Sequence, residues 1–187
     1  MSNPPTPTLR YLQAYPPETL AKVEHLLQTG RAGIWLQGLY PQAHTVRTDK
    51  ALFAYTQDLK TQAMRGAVPL SKVTFDNKLQ VVQHALGTHH QISRVQGNKL
   101  KAKREIRVAA LFKHTPLEFL RMIVVHELAH LKISAHDKAF YQLCSYMEPR
   151  YHQLEFELRV YLCYLDAGGQ ALWGSASAAP AALSAGV

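Results

Sequence analysis

Residues 122–140 read MIVVHELAHLKISAHDKAF, and this stretch determines how the rest of the chain is interpreted. His126 and His130 are four residues apart, so on a helix their side chains lie on one face. Two imidazoles one turn apart can bind one metal ion, and Glu127 then lies beside the open coordination position of that ion. This HExxH spacing is typical of zinc hydrolases that use the glutamate as general base. The sequence therefore predicts a Zn²⁺ site with Glu127 as its catalytic residue.

The residues before the motif predict the helix that carries it. Thr115 has the character of an N-cap, Pro116 suits the first helical position, and Glu118 follows the cap by three residues. A helix from about Pro116 to Lys132 is therefore expected, buried by its apolar MIVV run. The alternative is an ordinary amphipathic helix with polar residues at these positions. That alternative is disfavoured because burying two histidines and a glutamate without a metal or partners is costly.

The third metal ligand has several candidates. His136 follows His130 by six residues, a spacing used by known zinc sites, and it is the favoured choice. Asp137 either orients His136 by a hydrogen bond or caps the following helix, and capping is favoured. Three downstream carboxylates compete with His136: Glu148, Glu155 and Glu157.

The stretch HELAHLKISAHDKAF, followed by MEPRY at 147–151, resembles the YgjP-like metallopeptidase family, which is similar to the WLM and SprT-like peptidases. The resemblance is close over about Ile106 to Leu165. It implies an α+β, zincin-like domain with a small, mainly antiparallel sheet beside the HExxH helix and additional N-terminal helices. It also implies one Zn²⁺ ion, with Phe140 packed beneath it and the strand around Ile106 to Ala110 nearest the cleft.

Three functions are compatible with this site, and the main prediction is a zinc-dependent metallopeptidase. Its zinc-bound water, activated by Glu127, would attack a peptide carbonyl carbon. One alternative is a nucleotide pyrophosphatase, since such activity on UTP is attributed within the YgjP-like group. Another is a DNA-associated peptidase, by similarity to the WLM and SprT-like groups. A purely structural zinc site is disfavoured because such sites are usually closed by four protein ligands.

The 187 residues suffice for one domain with a hydrophobic core. The predicted parts are a flexible arm at 1–9, a helical part at 10–70, a zincin-like core at 71–166 and a disordered Ala/Gly/Ser-rich tail at 167–187. Within them, periodicity predicts helices over 18–29, 33–39, 49–65, 137–147 and 150–166. Strands are predicted over 72–75, 91–95 and 99–108, with a break in parity at Arg104 that indicates a bulge.

The net charge of +8 favours polyanionic partners such as nucleotides or nucleic acid. A basic stretch at 94–107 precedes the HExxH helix and is a candidate nucleic-acid contact. Its candidate phosphate contacts are Lys101, Lys103, Arg104 and Arg107. The alternative is a solvated, charged outer face that prevents strands from pairing with other molecules.

Two aromatic residues after Pro149 are further candidates. Tyr151 and His152 would lie over the metal and stabilise an oxyanion, or would help to orient a metal ligand. The alternative, a packed aromatic and a surface histidine, is favoured.

The sequence favours a cytoplasmic protein without a membrane partner. Residues 1–10 contain no apolar signal core, and no apolar run approaches the length of a membrane span. Cys144 and Cys163 form neither a CxxC motif nor a disulfide framework, so two buried free thiols are expected.

Overall fold

The computed structural model describes residues 9–64, 66, 69–79, 88–96 and 99–174, and of 88–96 and 99–103 only the backbone. Helices and strands alternate in blocks, which confirms the α+β class. The helices are α1 (Pro17–Gln28), α2 (Ala32–Leu39), α3 (Asp49–Ala63), α4 (Leu117–His130), α5 (Lys138–Met147) and α6 (Tyr151–Asp166). The strands are β1 (Leu70–Asp76), β2 (Thr88–Gln96) and β3 (Lys99–Ala109), and a 3-10 helix at Ala110–His114 joins β3 to α4.

The sheet has the order β1-β3-β2, and it is mixed. β2 and β3 pair antiparallel as the predicted hairpin, but β1 pairs parallel to β3. The expectation of a mainly antiparallel sheet is therefore wrong for β1. Local sequence signals identify a hairpin between neighbouring strands, but the direction in which a more distant strand pairs depends on tertiary packing.

The strand predicted to lie nearest the cleft is the central strand of the sheet. Ile106 pairs with Val73 of β1 on one side and with His89 of β2 on the other. Its backbone is therefore engaged on both sides, and β1 and β2 form the sheet edges among the described strands. The predicted irregularity at Arg104 is present, but the extra residue is Ser71 of β1, whose hydroxyl donates to the Arg104 carbonyl over 3.0 Å.

The HExxH helix α4 is the centre of the fold. It contacts α3, α5, α6, β2 and β3, so neighbours cover it on several sides. Every residue from Met122 to Ala129 is buried, as expected for a helix that is apolar around most of its circumference. Its start differs from the prediction. Pro116 is the N-cap, and the Thr115 hydroxyl donates to the Phe112 carbonyl over 3.2 Å instead of capping α4.

Among the N-terminal helices, α1 packs on α2, α2 packs on α6, and α3 packs on β1, α4 and α5. All three lie within two residues of their predicted bounds. Gly30 ends α1 with a φ of 67°, a left-handed conformation that glycine adopts without strain. Residues 1–8 of the predicted arm lie outside the described residues. Its last residue, Leu9, packs against a small cluster around Leu12 and Val23.

The segment after α6 is folded further than predicted. Trp173 is buried, its indole N–H donates to the Tyr40 carbonyl over 2.6 Å, and its ring packs against Phe119 and Tyr161. The expectation of a disordered tail from 167 is therefore wrong up to Gly174. Burial of a large aromatic ring together with its N–H hydrogen bond stabilises this segment, although the residues around it favour a flexible chain. Residues 175–187 lie outside the described residues.

Cys144 and Cys163 are buried free thiols, as predicted. None of the helices within the described ranges is long and apolar enough to cross a membrane.

Candidate metal centre

Three histidine side chains converge beside the C-terminal end of α4. The Nε2 atom of His130 lies 3.2 Å from that of His126 and 3.0 Å from that of His136, and the remaining Nε2 pair is 3.2 Å apart. His126 and His130 come from consecutive turns of α4, and His136 is supplied by the loop between α4 and α5. Among the described residues, these three form the group of side chains able to hold a metal ion.

The spacing of the three nitrogens fits a tetrahedral metal ion. Zn–N bonds of about 2.0–2.1 Å in a tetrahedral arrangement separate the nitrogens by about 3.3 Å, close to the separations observed. Three neutral imidazoles present lone pairs suited to zinc and to other divalent transition metals. The donor set therefore fits a metal ion, and one coordination position is left for water or substrate.

His126 is the most firmly held of the three. Its Nδ1 lies 2.7 Å from the Tyr151 hydroxyl, so an Nδ1–H donated to that oxygen leaves the Nε2 lone pair directed at the other two imidazoles. Burial lowers the pKa of His126 to about 3, so it stays neutral and available to a metal at physiological pH.

His130 and His136 are fixed by different contacts. His130 Nδ1 donates to the Ile133 carbonyl over 3.0 Å, because the chain turns back directly after α4. His136 is exposed and lies in the loop itself. The Phe140 ring supports all three imidazoles, with its centroid 5.0, 4.6 and 4.8 Å from the rings of His126, His130 and His136.

Glu127 follows His126 directly in α4, and its side chain is fully buried. Within the described part of the chain, neither carboxylate oxygen has a hydrogen-bond partner. Burial raises the pKa of Glu127 to about 8. A divalent cation at the three imidazoles would oppose this shift, since a nearby positive charge favours the carboxylate form. Such an unpartnered buried carboxylate is free to accept a proton from a water molecule.

The comparisons with known proteins agree with this geometry. A family model described as YgjP-like, metallopeptidase domain matches residues 50–161. The chain belongs to the YgjP-like family.

The chain is similar in sequence to the UTP pyrophosphatase of Escherichia coli (strain K12). It is 58% identical over 160 residues, which cover 86% of this chain and 96% of that protein. No solved structure matches the chain. The family and the name of this relative both make the chain a hydrolase.

In this YgjP-like chain, the carboxylates that competed for the third ligand position are engaged elsewhere. Glu148 forms an ion pair with Arg121, and Glu155 pairs with Arg159 at 2.8 Å. Glu157 accepts hydrogen bonds from Tyr40 and Gln153. The structure brings His136 to the two histidines of α4, and none of these three glutamates joins the cluster.

The other predicted site residues have distinct positions. Asp137 caps α5, since its carboxylate accepts from the Phe140 backbone N–H over 3.0 Å. The Tyr151 hydroxyl is hydrogen-bonded to Nδ1 of His126, on the side of the imidazole away from the other two histidines. It is therefore not placed as an oxyanion donor. His152 is exposed, with its ring 5.5 Å from that of Tyr141.

The basic stretch is described only in part. Arg104 donates to the Leu131 carbonyl over 2.9 Å, next to the end of α4, and Arg107 lies 3.4 Å from the Asp76 carboxylate. Both candidate phosphate contacts therefore already have protein partners. The side chains of Lys101 and Lys103 lie outside the described residues.

Sequence reasoning missed Tyr141. Its ring lies 6.4 Å from that of His136 and 5.3 Å from that of Phe140, so it borders the centre. The available signal was the position of Tyr141 next to Phe140 on a helix that starts two residues after His136. A single aromatic at such a position resembles an ordinary partly buried side chain, so the pattern alone did not single it out.

Proposed function

We propose that this chain is a zinc-dependent hydrolase that cleaves UTP to UMP and pyrophosphate. The observation that carries the proposal is the 58% identity, over 96% of its length, to a protein named UTP pyrophosphatase. At that similarity, the catalytic chemistry of two enzymes is generally shared. His126, His130 and His136 would bind the zinc ion through Nε2, and Glu127 would act as general base.

A Zn²⁺ ion held by the three imidazoles would lower the pKa of a bound water and polarise a phosphoryl oxygen. Glu127 accepts the proton of the attacking water as the new bond to the α-phosphorus forms. The bond between the α-phosphorus and the oxygen shared with the β-phosphate then breaks, and its electron pair leaves with pyrophosphate. Glu127 returns the proton to the leaving group or to solvent. Tyr151 keeps the His126 Nε2 lone pair available throughout, since burial raises the tyrosine pKa and keeps its hydroxyl protonated.

Peptide hydrolysis is the second candidate, because the matching family model is described as a metallopeptidase domain. The same carboxylate would then activate water for attack on a carbonyl carbon. An extended peptide would bind by pairing with a sheet edge. Because β3 is the central strand, that edge would be β1 or β2.

The test uses zinc-loaded protein incubated with UTP, with an unstructured protein, and with that protein bound to single-stranded DNA. The expected result is pyrophosphate release from UTP with the protein substrates left intact. Glu127→Gln should lower the rate of release by about 10²- to 10⁴-fold, the usual contribution of a general base, while the zinc content stays unchanged. Glu18→Gln, the same chemical change on the exposed side of α1, is the matched control and should have no effect.

Two outcomes would contradict the proposal. Protein fragments that depend on Glu127, without pyrophosphate, would make the chain a peptidase, and their dependence on DNA would select the DNA-associated form. Pyrophosphate release at an equal rate from the Glu127→Gln variant would exclude Glu127 as the base.

A further inference from the structure

Helix α5 presents two faces of different character. Its inner face carries the buried residues Phe140, Cys144 and Met147, which pack into the core. Its outer face, together with the start of α6, forms an open groove of about 470 Å³. The groove is lined by Lys138, Tyr141, Gln142, Ser145, Tyr146 and His152. Its volume is in the range typical of sites for small ligands.

The groove lies beside the metal centre. Tyr141 connects the two, since its ring lies 6.4 Å from that of His136 and 5.5 Å from that of His152. Lys138 follows His136 by two residues and supplies the positive charge of the groove lining. A molecule whose reacting group lies at the metal can therefore extend along α5.

The chemistry of the lining matches a nucleoside. Three of the six lining residues carry aromatic or heteroaromatic rings, on which a base can stack without a large dependence on its identity. Gln142 offers both a donor and an acceptor to a base edge. None of these six lining residues is acidic, and Lys138 adds a positive charge beside the phosphates.

The length of the groove also fits. The helical rise from Lys138 to Tyr146 is about 12 Å, at about 1.5 Å per residue. Tyr146 lies at the far end of the groove with 72% of its surface exposed, a high value for an aromatic side chain. The exposed ring of Tyr146 is therefore available to a ligand that extends along α5.

We infer that this groove binds the nucleobase and ribose of the nucleotide substrate, with Tyr141 and Tyr146 stacking on the base and Lys138 beside the α-phosphate. The inference rests on the proposed hydrolysis of UTP and specifies where the substrate is recognised.

Binding of UMP and of ribose 5-phosphate to the zinc-loaded protein, measured by calorimetry, tests this assignment. Both ligands offer a ribose and a phosphate, and only UMP offers a base. The wild type should bind UMP more tightly. Tyr146→Ala and Tyr141→Ala should weaken UMP binding by about 5- to 150-fold, the range for loss of one base–aromatic stack, and leave ribose 5-phosphate binding unchanged.

Three variants sharpen the measurement. Tyr146→Phe keeps the ring and should bind UMP like the wild type. Ile34→Ala removes a side chain that is 73% exposed on α2, so it is the matched control for loss of an exposed apolar group. Lys138→Ala should weaken the binding of both ligands. Lys22→Ala, on the exposed side of α1, should weaken the binding of neither.

Failure of the groove and failure of the proposed function give different results. UTP hydrolysis with UMP binding unaffected by Tyr146→Ala and Tyr141→Ala would overturn the groove and leave the function intact. Loss of UMP binding in these variants, without UTP hydrolysis by the wild type, would support the groove as the nucleoside site and overturn the proposed hydrolysis of UTP. Equal affinity of the wild type for both ligands, or displacement of UMP by a peptide with an aromatic side chain, would also overturn the groove.

Discussion

The metal centre joins two regions of opposite character, the helix α4 and the loop 131–137 that follows it. His126 and Glu127 are buried within α4, whose position is fixed by packing on several sides. His136 lies on the loop, where residues 134–137 are all exposed. One region therefore supplies preformed geometry, and the other supplies a ligand from the protein surface. The comparison teaches that the two parts of this centre depend on different interactions, which mutations can separate.

The largest difference is expected from Glu127 in the metal-free protein. Its pKa is raised from an ordinary value of 4.5 to about 8 by burial, so the folded state holds a proton that the unfolded state releases between these values. The free energy of unfolding therefore falls as pH rises from 4.5 to 8. Each pKa unit corresponds to about 1.36 kcal/mol, so this loss is on the order of 4 kcal/mol.

Urea unfolding of the metal-free wild type and of Glu127→Gln at several pH values measures this effect. The two proteins should be similar near pH 4.5, and the variant should be more stable by on the order of 4 kcal/mol near pH 8. His126 is present in both proteins, so its own titration cancels in the difference. With zinc bound, the difference should shrink, because the cation stabilises the carboxylate. A difference that does not change with pH would contradict the assignment of Glu127 as a buried, unpartnered acid.

A smaller effect is expected from Tyr151, which orients the buried ligand. Tyr151→Phe removes the acceptor for His126 Nδ1 and leaves the ring in place. Loss of such a hydrogen bond behind a ligand typically costs about 10- to 100-fold in metal affinity or activity. Competition with a zinc chelator measures the affinity. Tyr164→Phe removes the hydroxyl of another partly buried tyrosine, outside the cluster, and is the control. Equal zinc affinity of wild type and Tyr151→Phe would assign Tyr151 to packing alone.

The smallest effect is expected from His136→Ala, when the helix and the loop are compared directly in the metal-free protein. His126→Ala leaves a cavity and an unpaired group in the core and should lower the free energy of unfolding by about 1–3 kcal/mol. His136→Ala alters an exposed loop residue and should stay within about 0.5 kcal/mol of the wild type. Both variants should lose tight zinc binding, since each removes a ligand. Equal destabilisation by the two substitutions, measured by urea unfolding with a chelator present, would refute the contrast between helix and loop.

The residues of the centre were largely predictable from the sequence, because they follow local rules. The spacing of His126 and His130 requires only a helix, and the cap at Asp137 requires only a carboxylate before a helical run. The boundaries of α1 and α2 followed from periodicity and from Gly30. The choice of His136 over the three glutamates was made from spacing, and the structure brings that side chain to the other two.

What the sequence did not predict depends on contacts between distant segments. The parallel pairing of β1 with β3, the burial of Trp173 against Phe119 and the hydrogen bond from His126 to Tyr151 each join residues far apart in the chain. No periodic pattern encodes such partners. The failure of Thr115 to cap α4 was also not predictable. Its hydroxyl bonds instead to the Phe112 carbonyl, which is positioned by the 3-10 helix before α4.

The burial of α4 has a consequence for how metal is acquired. A helix covered by α3, α5, α6 and the sheet can expose its amides only when the whole core opens, so they should be among the slowest to exchange with deuterated solvent. His126, Glu127 and His130 therefore keep their arrangement before any ion arrives. The His136 Nε2 atom already lies within 3.2 Å of the other two Nε2 atoms, but it is held by the exposed loop. We therefore expect this loop to control how a metal ion associates and is released.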